Sequence, residues 1–306
     1  MHKNHIKFFT VSLLICTNIL FAQQRNLWSK IDEAKISNSQ LQRKIKLKKY
    51  QSFELKLEAM TRELKAAPSK MMNPGKSSFK MTFPDKNGQW VTFLVKEAPV
   101  MHPDLAKAFP NNRSYVGVGE KDQSKRIRFS VNEIGLHAMI MDDRGGIQYI
   151  EPLTRDKKNY KVYDRSDLEA QSDFRCLAEN MGATYQKAQA QKNTDDGVLR
   201  TYRLALASTG EYSLYHIEKE GITNGTDEEK KAVVLAAMTT AMTRINALYE
   251  NDLAISMQLV ANNDDIIYLD PNTDPYTNLD VSLMLDENQT NLDNVIQAGN
   301  YDIGHV

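Results

Sequence analysis

The chain has 306 residues, 41% of them hydrophobic and 25% charged, which suits a globular protein long enough for two domains and argues against disorder as its general state. Its formal net charge is zero, but from residue 200 onward six Lys or Arg face seventeen Asp or Glu, a net of −11, so the earlier residues carry +11. The early lysines are spread without interleaved aromatic residues, which weighs against a nucleic-acid partner, and the opposite signs suggest that one half docks on the other.

Residues 1–22 read as a secretory signal peptide. Lys3 and Lys7 form a basic start, residues 8–20 an apolar core, and Phe21-Ala22 a cleavage point. The core is interrupted by Thr10, Ser12, Thr17 and Asn18, so it is too short for a membrane span of roughly 20 apolar residues. Leu13-Leu-Ile-Cys16 has a faint lipoprotein look, but Ile15 is bulky and Cys16 lies inside the apolar core. A secreted, extracellular protein with no stable membrane span is therefore expected, and cleavage would leave Cys176 as its only thiol.

Residues 23–76 read as a helical N-terminal segment. Within it, residues 27–64 are rich in Lys, Glu, Gln and Leu and predict one or two exposed helices; the basic run 43–49 reads as a solvated face.

From 77 to 185 the chain predicts a β-rich domain. Short alternating runs at 79–83, 90–95, 114–118, 126–131, 136–141 and 147–150 are separated by Asp85-Lys-Asn-Gly88, Asn132-Glu-Ile-Gly135 and Asp142-Asp-Arg-Gly-Gly146. Such turns tolerate positive φ, so neighbouring runs should form antiparallel hairpins. His102 and His137 read as ordinary surface or core residues. Residues 186–199 are polar and aperiodic and read as an exposed linker.

Residues 200–207 alternate as a strand, with Tyr202, Leu204 and Leu206 on one face and Thr201, Arg203, Ala205 and Ala207 on the other. Ser208-Thr-Gly210 breaks it. Thr226-Asp-Glu-Glu229 forms a capping box for a helix running to about residue 250, whose stripe Val233, Ala237, Thr240, Ala241, Arg244, Ile245 and Leu248 would let it lie against a sheet. Residues 253–260 return as a strand, which favours a parallel pair. Asp270, Asn272 and Asp274 resemble half of a calcium loop, but Pro275 stands where glycine is needed and no Glu follows at the twelfth position, so a turn is the default and calcium weakly supported. Residues 290–296 predict a short helix and 301–306 a strand.

Four stretches resemble the reprolysin (adamalysin) branch of zinc metalloendopeptidases, in its secreted bacterial, metzincin-type form. They are Tyr202-Arg-Leu-Ala-Leu-Ala-Ser-Thr-Gly-Glu-Tyr212, Met242-Thr-Arg-Ile-Asn-Ala-Leu-Tyr-Glu-Asn-Asp-Leu253, Leu283-Met-Leu-Asp-Glu-Asn-Gln-Thr290 and Asn300-Tyr-Asp-Ile-Gly-His-Val306. The resemblance implies an α+β / α/β chain: a β-rich propeptide domain, then the N-terminal part of a catalytic domain with a mixed five-stranded sheet, incomplete over 200–306. It also implies protein or peptide substrates, an intramolecular contact between propeptide and catalytic domain, and Zn2+ held by three histidines of His-Glu-x-x-His-x-x-Gly-x-x-His. No His-Glu pair occurs in this sequence. His216 and His305 lack a second histidine four residues away, so the zinc ligands are expected downstream of Val306, and the 306 residues alone should be inactive. Cys176 could act as a latency ligand to that zinc, its thiolate displacing the reactive water; a buried, inert cysteine is the alternative. A non-catalytic secreted binding protein on a related scaffold is the competing function.

Overall fold

The computed structural model describes residues 27–42, 46–72, 75–169 and 197–306. Nine of its strands form one antiparallel sheet: β1 (Trp28–Lys30), β2 (Gln51–Leu55), β3 (Lys80–Pro84), β4 (Trp90–Glu97), β5 (Arg113–Gly119), β6 (Arg126–Asn132), β7 (Gly135–Met141), β8 (Ile147–Pro152) and β9 (Asn159–Asp164). Their order is β1-β2-β9-β8-β7-β6-β5-β4-β3, a meander from β3 to β9 with β2 and β1 added at its far end. The turns do what their chemistry allows. Asp85 Oδ1 accepts from Asn87 N at 2.9 Å and Gln89 N at 2.8 Å, and Gly88 and Gly135 take positive φ, where an L side chain would be strained.

One face of this sheet is a dry aromatic core. Phe53, Phe83, Phe93, Tyr115, Phe129 and Tyr160 bury there with Trp28, and helix α1 (Leu57–Leu64) adds Met60 and Leu64. The expectation of exposed helices over 27–64 is thereby corrected. Strands β1 and β2 lie within that stretch, its helix α1 is confined to the last eight residues, and Leu27, Trp28, Phe53 and Leu55 are buried. Lys and Glu interleaved with single apolar residues fit an edge strand as well as a helix, and pairing with β9 decides between them.

The second group of elements is β10 (Arg200–Leu206), α3 (Gly210–Glu220), α4 (Asp227–Asp252), β11 (Ile255–Leu259), α5 (Val281–Val295) and β12 (Ile303–His305); α2 (Pro103–Ala108) lies earlier, between β4 and β5. Strand β10 is central and pairs in parallel with β11 and with β12. The capping box forms as expected: Glu229 N donates to Thr226 Oγ1 at 3.2 Å, and Thr226 N to Glu229 Oε2 at 2.8 Å. Ser208-Thr-Gly210 follows the end of β10 at Leu206, as read, and also opens α3, because Thr209 accepts from Tyr212 N. The last helix starts at Val281 rather than residue 290, capped by Asp280.

Helix α4 is the middle layer of three. Val234, Leu235, Met238 and Met242 face the small parallel sheet, whereas Val233, Ala236 and Ala237 pack with Ile134 of the large one. Of the small-residue stripe, Val233, Ala237, Thr240 and Arg244 meet the nine-stranded sheet, whereas Ile245 packs with the small one and Ala241 and Leu248 are exposed. Among the described residues α4 alone is long and apolar enough to cross a bilayer; its burial throughout 233–240 accounts for that composition. The whole is a mixed α+β arrangement, a large antiparallel sheet plus helices and a small parallel sheet.

Candidate functional site

Beside the free edge of β12 runs an apolar groove of about 660 Å³. Its floor is Leu204 and Leu206 of β10 with Met257 of β11, its wall Met238, Met242 and Ile245 of α4, and its mouth Tyr212, Ile303 and His305. Among the described residues strand β12 pairs on one side only, and all three of its own residues are exposed. A parallel strand normally sits buried on both faces, so an open parallel edge next to an apolar groove marks a surface suited to further packing. Among the described residues, none before Leu204 lines this groove.

Polar groups at the groove are few. Ser208 and Ser213 share a hydrogen bond of 3.0 Å behind it, and His216 lies on α3 against Tyr212, ring centroids 4.6 Å apart. Burial, helped by Lys219, lowers the His216 pKa to about 4, so this imidazole is neutral at pH 7. A neutral imidazole is the form that binds metal, but among the described residues His216 belongs to no group of metal-binding donors. Among the described residues no three His, Cys, Asp or Glu side chains come together to hold a metal ion. The residues present therefore do not fit a catalytic zinc, and no chemical step can be routed through one here.

The other predicted ligands are placed as follows. Asp270 Oδ1 accepts from Asn272 N and Nδ2, both at 2.9 Å, while Asp274 accepts from Gly210 N at 2.6 Å and Tyr276 N at 2.9 Å. Those oxygens hold a turn and the start of α3, the role that turn chemistry assigns them. Cys176 lies outside the described residues, as does most of the 186–199 stretch. His102 caps α2, its Nδ1 accepting from Asp104 N at 3.3 Å.

The junction between the large sheet and α4 was not legible as a site, yet it is the most polar interior of the molecule. On β6, Ile127, Phe129 and Val131 face the aromatic core while Arg128, Ser130 and Asn132 are buried toward α4. Ser130 and Thr240 share a 2.9 Å hydrogen bond; Asn132 Nδ2 reaches Ala236 O at 3.1 Å and Thr240 Oγ1 at 3.2 Å; Asn112 Nδ2 donates to Thr239 Oγ1 at 2.9 Å. Charges cross the junction as well. Glu250 takes Lys70 at 2.9 Å and the buried Arg128, and Glu220 takes Lys157 at 2.9 Å, all in the sense that the charge division predicts. Arg244 with Glu151 runs the other way. Burial pushes the Glu151 carboxyl up, but Arg244, His137 and Lys161 outweigh it and hold the group at about 2. His137 is only partly enclosed by area, yet its Nδ1 is sealed and lacks a partner among the described residues, and burial brings it down to about 3.

Residues 235–306 match a family model described as metallo-peptidase family M12B, reprolysin-like. The matched stretch begins inside α4 and takes in β11, α5 and β12; its residues of α4, with Met257, Ile303 and His305, line the groove, and α5 does not. Over this stretch, less than half of the chain, the sequence is similar to that metallopeptidase family. No curated protein matches the chain.

Proposed function

We propose that these residues are the front part of an exported zinc metalloendopeptidase precursor. Residues 1–22 serve as the signal peptide, the large sheet belongs to a propeptide, 186–199 is the linker, and the peptidase domain starts at 200. The observation that carries this reading is the coincidence of the matched stretch, 235–306, with the walls of an apolar groove beside an open parallel strand. A catalytic helix bearing the zinc ligands, from residues beyond Val306, is the natural occupant of such a groove. The propeptide grips α4 through a polar junction, which suits a contact that forms during folding and separates after processing, since polar interfaces part at less cost than dry cores.

The test is to read the coding sequence past Val306 and to express the extended chain. A His-Glu-x-x-His motif, bound zinc and peptide-bond hydrolysis are expected. A stop codon at 307, or a continuation without that pair, would replace the reading with a secreted binding scaffold. Latency has its own arm: in the extended chain Cys176→Ala should raise activity before the linker is cut, and unchanged latency would remove Cys176 from the account.

A further inference from the structure

Strands β4 and β5 are antiparallel neighbours, and such neighbours need only roughly two to five connecting residues. The connection here is residues 98–112, and its extra length goes to the other unit. Leu259 N donates to Val100 O at 2.8 Å and His102 N donates to Leu259 O at 2.8 Å, so Met101 lies in parallel register beside Leu259. Gln258 Nε2 adds a bond to Met101 O at 3.2 Å. Residues 100–102 thus extend the small sheet by a single parallel bridge on the outer edge of β11. Helix α2 follows at once, with Pro103 at its start.

The side chains tell the same story. Val100, Met101 and Leu105 are each at most 3% exposed, and they bury with Leu204, Ile217, Val234, Met238, Met257 and Leu259, not with the aromatic core of their own sheet. Ala106 and Phe109 pack at the rim of the same cluster. The connection leaves its own sheet after Ala98, whose N donates to Ser114 O at 2.9 Å and whose O accepts from Ser114 Oγ at 2.7 Å. A strand edge that supplies main-chain hydrogen bonds, beside pockets that take defined side chains, is how one protein recognises an extended peptide.

We propose that the edge of β11 and the pockets below it form a peptide-binding site, which residues 100–109 fill in cis. The ligand class is an extended segment with two consecutive apolar residues followed by a helical turn with leucine four positions after the second. The site exists whatever lies beyond Val306; that it empties when the large sheet departs rests on the propeptide reading. Once empty, it would take substrate segments of this pattern at a distance from the groove beside β12.

The full chain tests this. Met101→Ser with Leu105→Ser weakens the in-cis occupant, and the probe is a fluorescein-labelled synthetic peptide spanning residues 98–110. Saturable binding to the variant, at least about tenfold tighter than to the unaltered chain whose site is filled, is expected. A peptide carrying the same two serines should not bind. In case the variant fails to fold, a protease site inserted between Pro110 and Asn111 and cut in the folded chain should let the labelled peptide exchange in. Absence of saturable binding to both, or binding indifferent to the serines in the peptide, overturns the proposal. A missing zinc motif in the extended chain would leave each of these outcomes unchanged.

Discussion

The Arg244 guanidinium donates to Glu151 Oε1 at 2.8 Å, joining helix α4 to strand β8 across the polar junction. Glu151 is also held by Tyr163, whose hydroxyl donates to Oε2 at 3.0 Å, and faces Lys161 Nζ at 3.8 Å. Two cations and a phenol depend on one carboxylate. Glu151→Ala should therefore destabilise the chain by about 3 kcal/mol in urea denaturation, because the cations remain enclosed without a counter-charge. Replacing Arg244 and Glu151 together by Met and Leu should recover only the part of that loss due to Arg244, with Lys161 and the Tyr163 hydroxyl still lacking the carboxylate. A double replacement as damaging as the single one would show that the pair itself, and not the orphaned charges, was stabilising.

Asn132 provides a neutral counterpart. Its Nδ2 lies within 3.2 Å of Asn112 Oδ1, Ala236 O and Thr240 Oγ1, and its Oδ1 accepts from Ile134 N at 3.2 Å. Asn132→Ala should cost about 2 kcal/mol, since Thr240 and Asn112 lose partners in a site that water enters poorly. Hydrogen exchange should show the change in α4 and β6 together. Protection lost in β6 alone would mean that the side chain does not couple the layers.

Those two sites explain what the sequence could and could not disclose. The six meander strands from β3 to β8 were legible because alternating residues and glycine-bearing turns report local geometry. The polar face of β6 was legible only as half of an alternating run, with Asn132 at the head of a turn, and burial against a helix a hundred residues later leaves no local signal. Strand β9 escaped because Tyr160, Val162 and Tyr163 alternate imperfectly and both faces are covered. The stripe on α4 was visible as a helix face, but nothing near it says which of two sheets it meets. The groove beside β12 could not be read at all, since it joins residues of β10, α4 and the last strand. The crossover at 98–112 carried one signal, a connection too long for the hairpin it closes.

Stability should fall with acid in two stages. The folded His137 pKa, about 3, is below its ordinary 6.5, so the unfolded chain takes up the proton first and stability present above pH 6.5 is lost as pH drops below it. Glu151, held at about 2 against an ordinary 4.5, adds a second loss between those values. Glu151, Arg244 and Lys219 are the charged groups that act on His137. The slope from the histidine cannot exceed about 1.4 kcal/mol per pH unit. His137→Gln should flatten the profile from pH 6.5 to 4.5 and shrink the lower stage without abolishing it, since Arg244 and Lys161 still hold Glu151 down. An unchanged profile in the variant would move the acid sensitivity to another group.

Gly210 sits where no side chain fits. A Cβ built there would lie 2.2 Å from Pro271 N and 2.4 Å from Asp270 C, backbone atoms that cannot swing aside as a side chain could. The close approach is needed because Gly210 N donates to Asp274 Oδ2 at 2.6 Å, tying the first turn of α3 to the 270–275 loop. Gly210→Ala would force the loop outward, breaking this bond and the cap that Asp274 Oδ1 gives Tyr276 N. A loss of about 2–3 kcal/mol is expected, although alanine is the better helix former by about 1 kcal/mol, because steric displacement outweighs propensity here. Asp274→Ala removes the bond without adding volume and should cost only about 1–2 kcal/mol. Thermal unfolding of both variants ranks them, and a Gly210→Ala chain as stable as the unaltered one would mean that the loop yields freely and that the contact positions nothing.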